Sequence, residues 1–185
     1  VERVQAAEPR GPRRRILVVD DSLTVRELER KLLTHHGYEV EIALDGMDGW
    51  NAVRSAPFDL VITDFYLGDE MSGGDFLHTL RCGQRYSHEE LPVLVITGSG
   101  NADIQAEIFH AGGNDFVIKP VVEEVFISRL RSLMLVKKQF NLLRRQSEEM
   151  RRMASQDILT GVYNKRYLIE RATQFLADPL NHPAW

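Results

Sequence analysis

Ile16-Leu17-Val18-Val19-Asp20-Asp21-Ser22 is an apolar run that stops on two carboxylates. The run is too short for a helix, rich in β-branched side chains and apolar on both faces, as an interior strand of a sheet covered on both sides must be. The pattern returns at Leu60-Val61-Ile62-Thr63, Val93-Leu94-Val95-Ile96 and Phe116-Val117-Ile118. Glu39-Val40-Glu41-Ile42 alternates instead, and its one wet face predicts an edge strand. Helical patterns lie between these runs, near 23–36, 47–56, 73–82 and 102–112. The first places Val25, Leu28 and Leu32 on one stripe, after Ser22 as a candidate N-cap and before Gly37 as a stop. Five βα units with connections this short predict right-handed crossovers and a five-stranded, parallel, doubly wound α/β sheet. Placing the alternating strand at an edge agrees with the order 2-1-3-4-5, whose ligand crevice lies at the carboxyl ends of strands 1 and 3.

Those carboxyl ends carry the chemistry. Strand 1 ends in Asp20-Asp21, strand 3 in Asp64, strand 4 in Thr97 and strand 5 in Lys119-Pro120. Three carboxylates in one crevice repel at neutral pH unless a cation sits among them or a proton is retained. A hard, oxygen-preferring ion such as Mg²⁺ suits the set, using one or two carboxylates and keeping several waters. Any single Asp here reads as an ordinary turn residue on an exposed rim. Together with the ammonium and hydroxyl, the set supplies what phosphoryl transfer requires: a nucleophile, a metal site and donors for the equatorial oxygens.

Composition narrows the class. The chain has 185 residues, enough for one ordinary domain with extra pieces and too few for two complete ones. At 43% hydrophobic and 27% charged it falls in the soluble globular range, and no run approaches the ~18 apolar residues of a membrane span. The single Cys82 excludes a disulfide framework or a Cys-rich zinc site and fits the cytoplasm. The six His (35, 36, 78, 88, 110 and 182) show no metal-ligand spacing and read as surface residues, and Ser22 and Ser99 have no His and Asp arranged as a triad. Residue 1 is Val and no signal peptide follows, so the chain is expected to be a piece of a longer protein. The net charge of −4 divides unevenly: +3 over 1–15, −13 over 16–128, +6 over 129–152 and zero beyond. An acidic body disfavours nucleic acid as a ligand.

From these residues the chain resembles the receiver domain of two-component response regulators, a flavodoxin-like fold, over about residues 16–128. The matching stretches are 16–22, Val61-Ile62-Thr63-Asp64, Val95-Ile96-Thr97-Gly98 and Phe116-Val117-Ile118-Lys119-Pro120. The resemblance implies that Asp64 is the phosphoacceptor, taking a phosphoryl group from a histidine kinase or phosphotransfer protein. It implies Mg²⁺ bound by Asp21, Asp64 and the backbone carbonyl of Tyr66, with Asp20 acting through a metal-bound water. Thr97 and Lys119 would hold the phosphoryl oxygens, and Phe116 would turn inward as Thr97 moves toward them. An acyl phosphate adds about −1.5 to −2 charge, which would bias the face formed by strands 4 and 5 between two packings. The loop Phe65-Tyr66-Leu67-Gly68-Asp69-Glu70-Met71-Ser72-Gly73 departs from the family pattern, with Gly68 where Pro is frequent and one extra residue before Gly73. Tyr66, two positions past the acceptor, is expected to shield the phosphoryl group from water.

Ser72-Gly73-Gly74-Asp75-Phe76 imitates the GGDEF signature of diguanylate cyclases but lacks its Glu and coincides with the segment that opens the third receiver helix. After Pro120 a helical pattern runs for about thirty-five residues without Gly or Pro. Heptad counting sets Leu133, Phe140, Ser147 and Ala154 at one seam position and Val136, Leu143 and Met150 at the other, predicting a coiled coil over 129–156 that pairs two copies. The weaker reading is a helix lying on its own domain. Next comes Asp157-Ile158-Leu159-Thr160-Gly161-Val162-Tyr163-Asn164-Lys165-Arg166, which resembles the D-x-L-T-G-x-x-N-[RK]-R opening of a GGDEF domain, with a helix expected from about Tyr167 to Ala177. That resemblance divides the chain into a tail or linker (1–15), a receiver (16–128), a helical linker (129–156) and the start of a cyclase domain (157–185). It implies a parent protein that makes cyclic di-GMP, with GTP binding only beyond Trp185. The alternatives are a non-enzymatic receiver adaptor acting through its helix, and a phosphatase of the haloacid dehalogenase type. The latter wants a second Asp where Tyr66 stands.

Overall fold

The structure is a computed structural model that describes residues 14–68, 71–83, 86–155 and 169. The tail to residue 13, Asp69 and Glu70, the motif at 157–166, the helix expected after it except for Ile169, and His182 lie outside the described residues. Five parallel strands form one sheet: β1 (Arg15–Val19), β2 (Glu39–Ala43), β3 (Leu60–Asp64), β4 (Val93–Thr97) and β5 (Asp115–Ile118), in the order β2-β1-β3-β4-β5. The helices between them are α1 (Leu23–His35), α2 (Gly46–Ser55), α3 (Gly73–Cys82) and α4 (Ala102–Ala111), and α5 (Glu123–Ser155) follows the last strand. This is the doubly wound fold that the sequence predicts, with the alternating strand at one edge. Register aligns the functional ends: Val19 lies beside Thr63, Asp64 beside Ile96 and Thr97 beside Ile118.

The strands are apolar on both faces because each face has its own core. Leu17, Val19, Val61, Val93 and Val95 face the α2–α4 side with Phe76, Leu77, Leu80 and Ile108. Ile16, Val18, Leu60, Ile62, Leu94 and Ile96 face the other side with Leu33 of α1 and Phe126, Ile127, Leu130 and Leu133 of α5. Truncating a fully buried member such as Phe126 or Leu80 to Ala would cost about 2–5 kcal/mol.

One expectation for α1 is corrected. Its fully buried residues are Arg26, Glu29 and Leu33, one position on from the predicted stripe; of that stripe Leu32 packs against the core and Val25 is half-buried, but Leu28 is 66% exposed. A one-residue step turns a helix by about 100°; here the Arg26 guanidinium is drawn inward by the Asp20 carbonyl at 2.6 Å. Ser22 occupies the N-cap position, but its side chain makes no cap bond. Gly37 ends the helix as expected, with φ +86°, a conformation that favours glycine.

The chain divides into two compact units, Val1–Gln139 and Phe140–Trp185. Helix α5 has 33 residues, and its first part belongs to the sheet's core. Leu133, expected in the coiled-coil seam, is therefore buried by its own domain. Farther along, Leu142, Leu143, Met150 and Met153 are exposed.

Candidate functional site

Parallel strands direct their carboxyl ends to one edge, so residues distant in sequence meet there. Carboxylate oxygens of Asp20, Asp21 and Asp64 all lie within 4.8 Å of one another. Asp20 is buried: its Oδ1 accepts from the Ser22 N–H at 2.8 Å, while Oδ2 has no hydrogen-bond partner. Burial is the main force raising the Asp20 carboxyl above its ordinary range, with Asp64 and Asp21 adding to it against the opposing pull of Ser22 and Lys119. Asp64 Oδ1 accepts from the Tyr66 N–H at 3.1 Å, and Oδ2 accepts from Lys119 Nζ at 2.5 Å. Lys119 Nζ also lies 3.5 Å from Asp20 Oδ2. Burial works against the Lys119 ammonium, but Asp64 and Asp20 outweigh it and hold Lys119 above its ordinary range. The donor set suits a hard divalent cation: three carboxylates converge, and a buried oxygen of Asp20 accepts no hydrogen bond and has only the Lys119 ammonium, 3.5 Å away, beside it.

The two remaining residues of the predicted site are occupied elsewhere. Thr97 is fully buried; its hydroxyl donates to the Ser99 carbonyl at 3.2 Å and accepts from the Ser99 N–H at 3.3 Å. Phe116 is half-buried, edge-to-face with Phe109 of α4 at 5.9 Å, and the Arg129 guanidinium of α5 stands 5.8 Å from its centroid. Arg129 also pairs with Asp115. The Tyr66 side chain is 55% exposed and meets Phe65 edge-on.

The GGDEF-like stretch has a local explanation. Ser72 and Asp75 form a capping box at the start of α3, and Phe76 is fully buried in the core. A Cβ on Gly73 would lie 2.1 Å from the Asp64 carbonyl oxygen, so only glycine fits against the backbone of the acidic site.

Three buried polar residues were not singled out from sequence, two of them beside the site and one, Arg81, at the opposite end of the sheet, before β4 and β5. Arg26 holds the Asp20 carbonyl from α1. Glu29, also on α1, is 3% exposed with neither carboxyl oxygen hydrogen-bonded; burial first, then repulsion from Asp20 and Asp64, pushes its carboxyl up to about 8. Arg81 of α3 donates to the carbonyls of Gly112 and Leu91 and to Asn114 Oδ1, and burial brings its guanidinium down to about 10. An i, i+3, i+4 reading treats each of these as a solvated polar residue. Their partners on other elements are not visible to it.

Residues 16–131 match the family described as the response regulator receiver domain. The chain belongs to that family. Among curated relatives, the response regulator MprA of Mycolicibacterium vanbaalenii is 33% identical over 120 residues, 65% of this chain and 50% of the relative. MprA of Mycobacterium avium is 32% identical over the same shares. The chain thus spans half the length of these relatives. Among solved structures, the chemotaxis protein CheY4 of Vibrio cholerae is 28% identical, covers 66% of this chain and 99% of its own, and has a TM-score of 0.60. The receiver domain of a signal transduction histidine kinase from Syntrophus aciditrophicus is 28% identical, with coverage of 65% and 89% and a TM-score of 0.58. Among the described residues, no helix is long and apolar enough to cross a membrane.

Proposed function

We propose that this receiver domain is phosphorylated on Asp64 by a histidine kinase or phosphotransfer protein and that the acyl phosphate controls an output joined through α5. The observation that carries the reading is the Lys119–Asp64 contact at 2.5 Å beside two further carboxylates. An Asp64 carboxylate oxygen attacks the phosphorus of a phosphohistidine. The P–O bond forms as the P–N bond breaks, and the departing imidazole keeps the electron pair and takes up a proton. Asp20, Asp21, Asp64 and the Tyr66 backbone carbonyl would hold Mg²⁺, which when bound supplies charge neutralisation to the phosphoryl oxygens. Lys119 turns from Asp64 to a phosphoryl oxygen, and the Thr97 hydroxyl exchanges Ser99 for another. Phe116 follows into the space that Thr97 leaves. Tyr66 shields the acyl phosphate from water.

The output is a dimer formed through 129–156 and, in the parent protein, a diguanylate cyclase beginning near Asp157. What supports this part is the exposed apolar row of α5 and the resemblance of 157–166 to a GGDEF opening. A receiver adaptor without an enzyme remains the second reading, because it needs only the same exposed helix. The setting is the cytoplasm, where the lone Cys82 stays reduced.

The test incubates the chain with acetyl phosphate and Mg²⁺, reads acid-labile phosphate, and follows mass by light scattering with beryllofluoride. Phosphate incorporation that disappears in Asp64→Asn supports the site, and incorporation that persists overturns it. A mass doubling that requires Asp64 supports phosphorylation-controlled pairing.

A further inference from the structure

The unpartnered apolar face of α5 is not the one heptad counting selects. Of the row Leu133, Phe140, Ser147 and Ala154, the first is buried by its own domain and Phe140 is half-buried. The other row, Val136, Leu143 and Met150, is exposed throughout, and so is the row three residues on: Gln139, Gln146 and Met153. Together these six alternate at spacings of three and four, the repeat that keeps one stripe of a helix facing a partner.

We propose that this stripe, Val136/Gln139/Leu143/Gln146/Met150/Met153, is the contact face for a second copy of the chain, with the two helices parallel and in register. The inference deepens the dimer reading given above and rests on it. The two glutamines select the occupant. An amide carries both donors and an acceptor, so Gln139 and Gln146 are satisfied when each meets its own counterpart, as happens only in a parallel, in-register pair. Against a lipid surface or an apolar groove the same amides would be desolvated without partners, at about 1–3 kcal/mol each. A polar residue in a seam costs stability and fixes register, and here it recurs one heptad apart. The charges agree with this choice. Arg144, Arg145, Arg151 and Arg152 lie outside the stripe, so pairing does not bring basic rows face to face, and Arg144 is already bonded to Glu148 on its own helix.

The test places single cysteines in the full chain carrying Cys82→Ser, which removes the exposed native thiol. Disulfides require Cα atoms within about 7 Å, so Leu143→Cys and Gln146→Cys should cross-link at least about tenfold faster than Ser147→Cys or Arg145→Cys. The reaction is run with and without Mg²⁺ and beryllofluoride, beside light scattering on the unsubstituted chain. Fast cross-linking at Ser147→Cys with little at Gln146→Cys would overturn the stripe while leaving the dimer. Cross-linking of mixed Gln139→Cys and Met153→Cys chains, with neither linking to itself, would mean antiparallel pairing and overturn the register. A chain that stays monomeric in both states overturns the stripe and the dimer together.

Discussion

Replacing Glu29 with Met should stabilise the receiver in proportion to pH. The folded domain buries this carboxyl without a hydrogen-bond partner, and burial followed by repulsion from Asp20 and Asp64, partly opposed by Lys119, lifts it from 4.5 to about 8. The folded chain therefore holds a proton that the unfolded chain releases, and stability falls as pH rises from about 4.5 toward 8, where the loss is complete. At about 1.4 kcal/mol per pH unit, about 3 kcal/mol is lost by pH 7. Methionine has similar volume and no proton to lose. The stability difference between the variant and the natural chain should therefore grow by about 3 kcal/mol between pH 4.5 and pH 7 and level off above pH 8. Urea unfolding followed by circular dichroism at pH 5, 6, 7 and 8 measures this, and taking the difference cancels every group the two chains share. An equal difference at pH 5 and pH 8 would refute the argument, because it would place the effect in packing and not in the proton.

Arg81→Met removes donors to the carbonyls of Gly112 and Leu91 and should cost about 3 kcal/mol in denaturant unfolding, with Arg81→Lys recovering little because a point charge cannot reproduce the fork. Gly73→Ala sets a methyl group 2.1 Å from the Asp64 carbonyl oxygen, so it should lower stability by about 2 kcal/mol and slow phosphate incorporation, read by thermal melting and acid-labile phosphate. Lys119→Met removes the cation 2.5 Å from Asp64 and should slow phosphorylation by acetyl phosphate about 100-fold while the fold persists, as circular dichroism would show.

The sheet and the acidic end of it were legible because their signals are local. A run such as Val93–Ile96 announces a covered strand by itself, and the residue that ends it lies at the crevice whatever the rest of the chain does. Lys119 and Asp64 are 55 positions apart, yet each was placed by its own strand. Residues that reach the site from helices carry no such signal. Arg26 and Glu29 look like solvated positions in a stretch rich in Arg and Glu, yet both are buried, and the partner that holds Arg26 inward, the Asp20 carbonyl, lies outside the helix. Arg81 binds the carbonyl of Gly112, 31 positions away on another loop, a pairing that no window of helical length contains.

Helix α5 shows the limit of periodicity in its clearest form. An apolar residue at helical spacing records that something buries it, not which surface does so. Leu133 and Phe140 stand one heptad apart, and counting assigns them a single partner. Leu133 belongs to the sheet's own core, however, and beyond it the next exposed apolar positions are Leu135 and Val136. Two overlapping stripes thus share one pattern, and subtracting the one the domain consumes moves the remaining seam by three residues, from Leu133/Val136 to Val136/Gln139. In the proposed pairing that shift decides the chemistry of the contact, because it replaces Phe140 and Ser147 with Gln139 and Gln146. A seam with two glutamines one heptad apart favours a single register over maximal affinity, which is the property a helix needs if it is to transmit an orientation as well as hold two copies together.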